Sequence, residues 1–319
     1  MIQARPFPKG RVLNTPILFL IFNRLSTTKE VLRSINDVKP SKLYIASDGP
    51  RHNKKGESKK VDLVREYILS NINWECEVKT LFRKENLGCK YAVSSAITWF
   101  FENEEQGIIL EDDCLPHLDF FHYCENLLNH YAKQDRIICI TGVNFQDEQK
   151  RGDGSYYFSK FNHCWGWASW RRAWNKYQND LTFWPKWSRS NYWNKHTPDK
   201  VERKFWTKIF DKVYKNKIDT WDYSWMGSAW FNDGITVTPN VNLVSNIGFG
   251  INSTHTKDKS NKAANIPTKE IGTIKHPSSI NVDYEADRWT FDHHYGGKNL
   301  RFPHSWIVFP VRLLRYLYR

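Results

Sequence analysis

The chain has 319 residues, 40% of them hydrophobic, enough for one large domain or two small ones with a real core. Its 47 Lys and Arg against 34 Asp and Glu give a formal net charge of +13, which suits an anionic partner: nucleic acid, anionic lipid or nucleotide phosphates. None of the six cysteines sits in a C-x-x-C pair, which points away from a disulfide framework and towards free thiols in a reducing compartment.

The first ten residues contain Pro6, Pro8 and Gly10 and no apolar core, so no signal peptide is expected. "PILFLIF" (16–22) is too short to span a bilayer and reads as a buried strand. No other run reaches membrane-span length, and a cytoplasmic protein is expected. "STTKEVLRSI" (26–35) follows, with Ser/Thr capping candidates and Val31, Leu32 and Ile35 at helical spacing. "KLYIASD" (42–48) is a second strand closed by a Gly-Pro turn. "RHNKKGESKK" (51–60) reads as a solvated loop, and "VDLVREYIL" (61–69) as a helix. "EVKTLFR" (77–83) alternates as a strand does. "NLG" (86–88) turns into the helix "KYAVSSAITWFF" (90–101). "GIIL" (107–110) is a short buried strand, "DFFHYCENLLNHY" (119–131) a helix and "RIICITG" (136–142) another strand. Strands separated by helices of this length imply a parallel, doubly wound α/β sheet, and such sheets bind ligands at the carboxyl ends of their strands.

The second half is rich in Trp, Asn and Lys, with weaker periodicity. "HCWGWASWRRAW" (163–174), "WDYSWMGSAWF" (221–231) and "TVTPNVNLVSNIGFG" (236–250) are its best-marked segments. It reads as the acceptor-side half of one domain over 14–256, divided into 14–150 and 151–256 near the polar loop "DEQKRGDGS". Residues 255–280 read as a mobile segment, and 257–319 as a C-terminal extension. His293 and His294 read as structural. At 310–319, Arg312, Arg315 and Arg319 fall on one helical face and Leu313, Leu314 and Leu317 on the other. That pattern fits either a peripheral helix on an anionic membrane or a terminal helix docked on the domain.

Glu111, Asp112 and Asp113 close the run "GIILEDD". Three adjacent carboxylates at the exit of a buried strand repel one another unless a cation or water relieves them. A hard divalent cation favours such oxygens together with those of phosphates, and a rigid strand end fixes it in place. Asp48 lies at a second strand end. In "WDYSW" (221–225), Asp222 stands among aromatic side chains that exclude water, a suitable setting for a general base; Asp211, Asp219 and Asp233 are rivals nearby.

In the order and spacing of several blocks the chain resembles the inverting glycosyltransferases of the GT-A fold related to N-acetylglucosaminyltransferase I, and most of all the bacterial sugar transferases of that type. The blocks are "NR" (23–24), "SDGP" (47–50), "ENLGC" (85–89), "GIILEDDCLPHLDFF" (107–121), "GVN" (142–144), "CWGWASW" (164–170), "WDYSW" (221–225) and "PNVNLVSNIGFG…STHT" (239–256). The resemblance covers about 16–256. It implies a GT-A-type doubly wound mixed sheet, with a nucleotide-binding N-terminal half and an acceptor-binding C-terminal half. It further implies a nucleotide-sugar donor, most simply a UDP-sugar, held with Mn²⁺ or Mg²⁺. The acceptor would be a glycan or lipid-linked hydroxyl in bacterial surface polysaccharide synthesis. Carried onto this sequence, Asp113 would ligate the metal, with His255 a second candidate ligand in a loop that closes over the donor. Asp112 would contact ribose or sugar and Glu111 the donor sugar hydroxyls. Asn23, Arg24 and Asp48 would border the nucleoside pocket, and Asp222 would be the catalytic base.

Three other classes stand beside this one. A nucleotidyltransferase making sugar donors shares the sheet and an acidic metal site, but "FNRLSTT" lacks the glycine-rich loop expected after its first strand. A non-catalytic glycan- or nucleotide-binding protein would have no need of both the triplet and Asp222. A nucleic-acid binder, suggested by charge alone, has no supporting motif.

Overall fold

A computed structural model of the chain describes residues 12–249 and 262–302. His255 and the 310–319 segment lie outside the described residues. The chain opens as the apolar pattern dictates. Strand β1 (Ile17–Ile21) is wholly buried, and helix α1 (Leu25–Val38) lays Val31, Leu32, Ile35 and Val38 against the sheet. The expected Ser/Thr cap does not form. The helix starts at Leu25, so Thr27 and Thr28 lie inside its first turn, and their hydroxyls donate back to the Arg24 carbonyl at 3.2 and 2.7 Å. Then come β2 (Lys42–Ser47), α2 (Glu57–Asn71), β3 (Glu77–Phe82), α3 (Gly88–Asn103) and β4 (Gln106–Glu111). The solvated loop expected at 51–60 gives way at Glu57, which begins α2 and is buried because it pairs with Arg51.

Next are β5 (Cys114–Pro116), α4 (Leu118–His130), β6 (Ile137–Thr141), β7 (Tyr156–Ser159), β8 (Trp167–Trp170) and the short helices α5 (Arg171–Trp174), α6 (Trp184–Trp187) and α7 (Asn191–His196). Helices α8 (Lys200–Tyr214) and α9 (Asp222–Phe231), strands β9 (Ile235–Pro239) and β10 (Val244–Asn246), and α10 (Tyr284–His293) complete the order.

The main sheet has the order β3-β2-β1-β4-β8-β6-β9-β7. Its β3-β2-β1-β4 part is parallel, as the alternating pattern implies. The purely parallel sheet expected of the first half is interrupted: β8 enters antiparallel between β4 and β6, so the whole is a doubly wound mixed α/β sheet. Hydrophobic periodicity reports how far a strand is buried, not which strand it pairs with, and β8 comes from the Trp-rich second half. Both halves of the chain therefore share one sheet. Trp184, Trp193, Trp206, Trp225 and Trp230 pack with Phe161, Phe210 and Phe291 on one face.

Residues 262–280, expected to be mobile, are tied down where described. Asn265 N donates to the Asn246 carbonyl at 3.0 Å, Lys269 N to the Asn242 carbonyl at 2.9 Å, and Ile271 N to Asp119 Oδ2 at 2.9 Å. Asparagine and carboxylate side chains from the sheet side meet the backbone of this segment, so it holds without a periodic pattern of its own. All six cysteines are free. Among the described residues no helix is long and apolar enough to cross a membrane.

His294 is structural in a way that titration can reveal. Its ring stacks on Phe145, centroids 3.7 Å apart, and burial lowers its pKa from 6.5 to about 4. Between those values the unfolded chain binds a proton that the folded chain does not. This contribution is thus fully present above pH 6.5 and is lost as pH falls towards 4. His294→Phe keeps the stack and removes the proton site. Urea unfolding should therefore show the variant gaining on the parent chain from pH 7.5 to pH 5; an unchanged difference would mean that His294 titrates normally.

Candidate active site

The carboxyl ends of β1, β2 and β4 and the start of α3 surround a cavity of about 360 Å³. The parallel order puts β1 between β2 and β4, with Ile21 beside Ser47 and Leu20 beside Glu111. Residues distant in sequence therefore converge at one sheet edge. Asn23, Arg24, Asp48, Glu111, Asp112 and Asp113 all border this cavity.

The triplet meets a cation supplied by the chain itself. Arg24 Nη1 donates to Asp113 Oδ2 at 2.7 Å, and its Nη2 donates to Asp112 Oδ1. Burial works against the charge on Arg24, but the two carboxylates outweigh it and hold the guanidinium pKa above its usual value. Burial raises the Glu111 pKa, and Asp113 and Asp112 raise it further. Asp112 is raised too, by burial, with Arg24 opposing. With Glu111 held largely in its protonated form, Asp112 and Asp113 still exceed the single Arg24 guanidinium in charge, and Asp112 Oδ2 is buried without a hydrogen-bond partner among the described residues. That orphaned oxygen beside Asp113 fits a divalent cation. Among the described residues there is no group of three or more acidic, His or Cys side chains placed to hold a metal.

A second strand pair fixes Asp113. β5 and β10 run antiparallel with Cys114 opposite Asn246, and Ile247 N donates to the Asp113 carbonyl at 2.9 Å. This brings Gly248 against the carboxylate. A Cβ there would clash with Asp113 Oδ2 and lie 2.7 Å from Arg24 Nη1. Gly248→Ala is thus expected to displace Asp113 and to destabilise by about 1–3 kcal/mol as overpacking does. Urea unfolding checks this; unchanged stability would show that the segment around Gly248 gives way without cost.

Other expected residues are more constrained. Asp48 accepts from Gly49 N, Leu87 N, Gly88 N and Asn86 Nδ2 at 2.9–3.1 Å, so its carboxylate secures the 86–88 turn at the start of α3. Gly88 sits at φ +77°, a conformation that suits glycine. Asn23 donates to Glu57, which also holds Arg51. Asp222 begins α9, where its carboxylate accepts from Tyr223 N at 2.8 Å and from the Thr220 hydroxyl. It does not line the cavity, although its charge contributes to the raised pKa of Glu111. Asp219, one of its rivals, does line it, accepting from Lys90 N at 3.3 Å.

Sequence reading also passed over Arg51, Arg83, Cys89 and Asn246 as cavity residues. Arg83 directly follows β3, Asn246 ends β10 and Cys89 lies at the start of α3, and only such positions could have signalled them. Trp165, from "WGWASW", forms one wall and packs edge-on against Phe145 and Phe249 at 5.5 and 5.7 Å. Trp167 and Trp170 of the same motif are core residues.

No family model matches the chain, and no curated protein matches it. Among solved structures it is similar to the mannosyltransferase PcManGT from Pyrobaculum calidifontis in complex with GDP-Man and Mn²⁺. That likeness has 15% identity and a TM-score of 0.33, and covers 51% of this chain and 48% of that one, so about half the enzyme's length is spanned. It is also similar to GalNAc-T7 with UDP, GalNAc and Mn²⁺, at 14% identity and TM-score 0.42, covering 72% of this chain and 43% of that one. A third is UDP-glucose pyrophosphorylase complexed with UDP-glucose, at 10% identity and TM-score 0.33, covering 71% and 90%. Each was solved with a nucleotide or nucleotide-sugar; transferases and a pyrophosphorylase both occur among them, and none bears on kinship with N-acetylglucosaminyltransferase I.

Proposed function

We propose that the chain is a metal-dependent inverting glycosyltransferase that moves a sugar from a nucleotide-sugar, most simply a UDP-sugar, to a hydroxyl of a glycan or lipid-linked acceptor. The observation that carries this is the triplet at the exit of β4, under-neutralised by Arg24 and facing a cavity at the carboxyl edge of the sheet. An excess of buried negative charge there favours a ligand that arrives as a cation with phosphates.

Asp113 and the unpartnered oxygen of Asp112 would hold Mn²⁺ or Mg²⁺, which when bound neutralises charge on a departing diphosphate. Arg24 borders the same pocket and would carry positive charge towards the phosphates. Glu111 faces the cavity in a buried setting that favours its protonated form, suited to hydrogen bonding with sugar hydroxyls. Trp165 offers a flat wall on the acceptor side. Asp222, within electrostatic reach of Glu111, would take the proton from the acceptor hydroxyl as its oxygen attacks the anomeric carbon. We place this activity in the cytoplasm, in the synthesis of a bacterial surface glycan, with the acceptor brought by a lipid carrier. A donor-hydrolysis screen over nucleotide-sugars with Mn²⁺ tests the reading. Release of nucleoside diphosphate from one donor class supports it; release of pyrophosphate from a nucleoside triphosphate and a sugar phosphate would assign the chain to the nucleotidyltransferases.

A further inference from the structure

A second concavity lies at the opposite edge of the sheet. β6 and β9 are parallel to each other, and β8 runs antiparallel to both β4 and β6, so β4 and β6 point the same way. The amino ends of β6 and β9, where Arg136, Gly234 and Ile235 lie, are therefore remote from Glu111 at the carboxyl end of β4. Around these amino ends α6, α7, the end of α9 and the start of α10 enclose a cavity of about 620 Å³, within the range of roughly 300–1,000 Å³ that small-ligand pockets occupy.

Its lining is unusual in two respects. The first is aromatic surface left in water. Tyr192 and Tyr284 are 76% and 72% exposed and Phe231 is 42% exposed, while Trp187 and Trp230 form buried wall. Large rings this exposed, gathered about one concavity, are not explained by core packing. The second is cationic charge. Lys195 is exposed and has no ion-pair partner among the described residues; Lys160 is buried with Glu202 at 2.9 Å, and Arg136 pairs on the surface with Asp233 at 3.0 Å. His196 adds an Nε2 without a partner among the described residues. The cavity thus combines flat apolar faces with hydrogen-bonding and positively charged groups.

We propose that this cavity binds an anionic oligosaccharide chain, with the rings of Tyr192 and Tyr284 against sugar faces and Lys195 opposite a sugar carboxylate. Flat rings bury the C–H faces of pyranoses at little cost in side-chain entropy, and the uncompensated lysine selects for negative charge. The site does not depend on the reading of the donor cavity, because it is remote from the triplet and contains none of its residues.

The test uses the full chain and tetragalacturonate as probe, with neutral maltotetraose for comparison. Trp187 and Trp230 line the cavity, so intrinsic tryptophan fluorescence reads occupancy directly. Tetragalacturonate should give a saturable change that weakens with added salt, with maltotetraose binding at least tenfold more weakly. The double variant Tyr192→Ala/Tyr284→Ala should lose at least tenfold in affinity and Lys195→Glu severalfold. These exposed side chains are not needed for folding, and circular dichroism will verify that. UDP with Mn²⁺ should leave probe binding unchanged. No saturable change, equal affinity for the two saccharides, unaltered binding by both variants, or displacement by UDP would each overturn the proposal. Failure here leaves the donor reading untouched, and failure of the donor screen leaves this site untouched.

Discussion

A chain carrying Asp113→Ala should fold, keep its cavity and lose Mn²⁺-dependent transfer. The fold survives because the substitution relieves the triplet. With Asp113 gone, Arg24 still bonds Asp112, and with Glu111 held protonated the excess negative charge of the cluster is removed. Removing one member of a buried ion pair is damaging when it strands a charge, but Arg24 bridges two carboxylates and is not stranded. On the proposed reading, function is lost because Asp113, whose backbone carbonyl accepts from Ile247 N beside the β5–β10 pair, would be a metal ligand. Metal neutralisation of a leaving group is worth several kcal/mol, so turnover should drop by about a thousandfold or more. Steady-state assays with Mn²⁺, together with Mn²⁺ binding followed by electron paramagnetic resonance, give two independent readouts. Full activity of the variant with Mn²⁺, abolished by chelator, would place the metal elsewhere.

The position of the triplet was legible because two simple signals coincide. A run of buried aliphatic residues from Ile108 to Leu110 marks a strand, and three carboxylates directly after it mark its exit. The helices and strands of the first half were legible for the same reason: their apolar spacing matches one period or the other. Pairing was not. Nothing in "WASW" says that β8 runs antiparallel beside β4, since a strand buried on both faces carries no directional pattern. Nor does the sequence show that Arg24 answers Asp112 and Asp113, because they are nearly ninety positions apart and meet only when β1 and β4 pair. Glu57 was missed for a related reason. Amid lysines it looks solvated, yet its partners Asn23 and Arg51 draw it under the sheet edge. The 262–280 segment lacked periodicity because side chains of Asn242 and Asp119 and backbone carbonyls hold its backbone, with only scattered apolar anchors such as Ile274.

Asp222→Asn should lower turnover by about two to four orders of magnitude, the usual contribution of a general base, while the donor dissociation constant barely moves. Asparagine has the size and shape of aspartate, and its side-chain carbonyl can accept the same bonds from Tyr223 N and the Thr220 hydroxyl, so the start of α9 stays in place. What it cannot do is accept a proton from an attacking hydroxyl. Because Asp222 does not line the cavity that the proposed reading gives to the donor, the loss should appear in the acceptor-dependent step and not in donor binding. Asp219 provides the contrast. It lines the cavity and accepts from the backbone at the start of α3, so Asp219→Asn should act chiefly through donor affinity. Calorimetric titration of the donor with Mn²⁺, paired with turnover at saturating acceptor, separates the two carboxylates. If Asp219→Asn takes the turnover loss and Asp222→Asn the binding loss, their assignments exchange, and the base lies within the donor cavity itself.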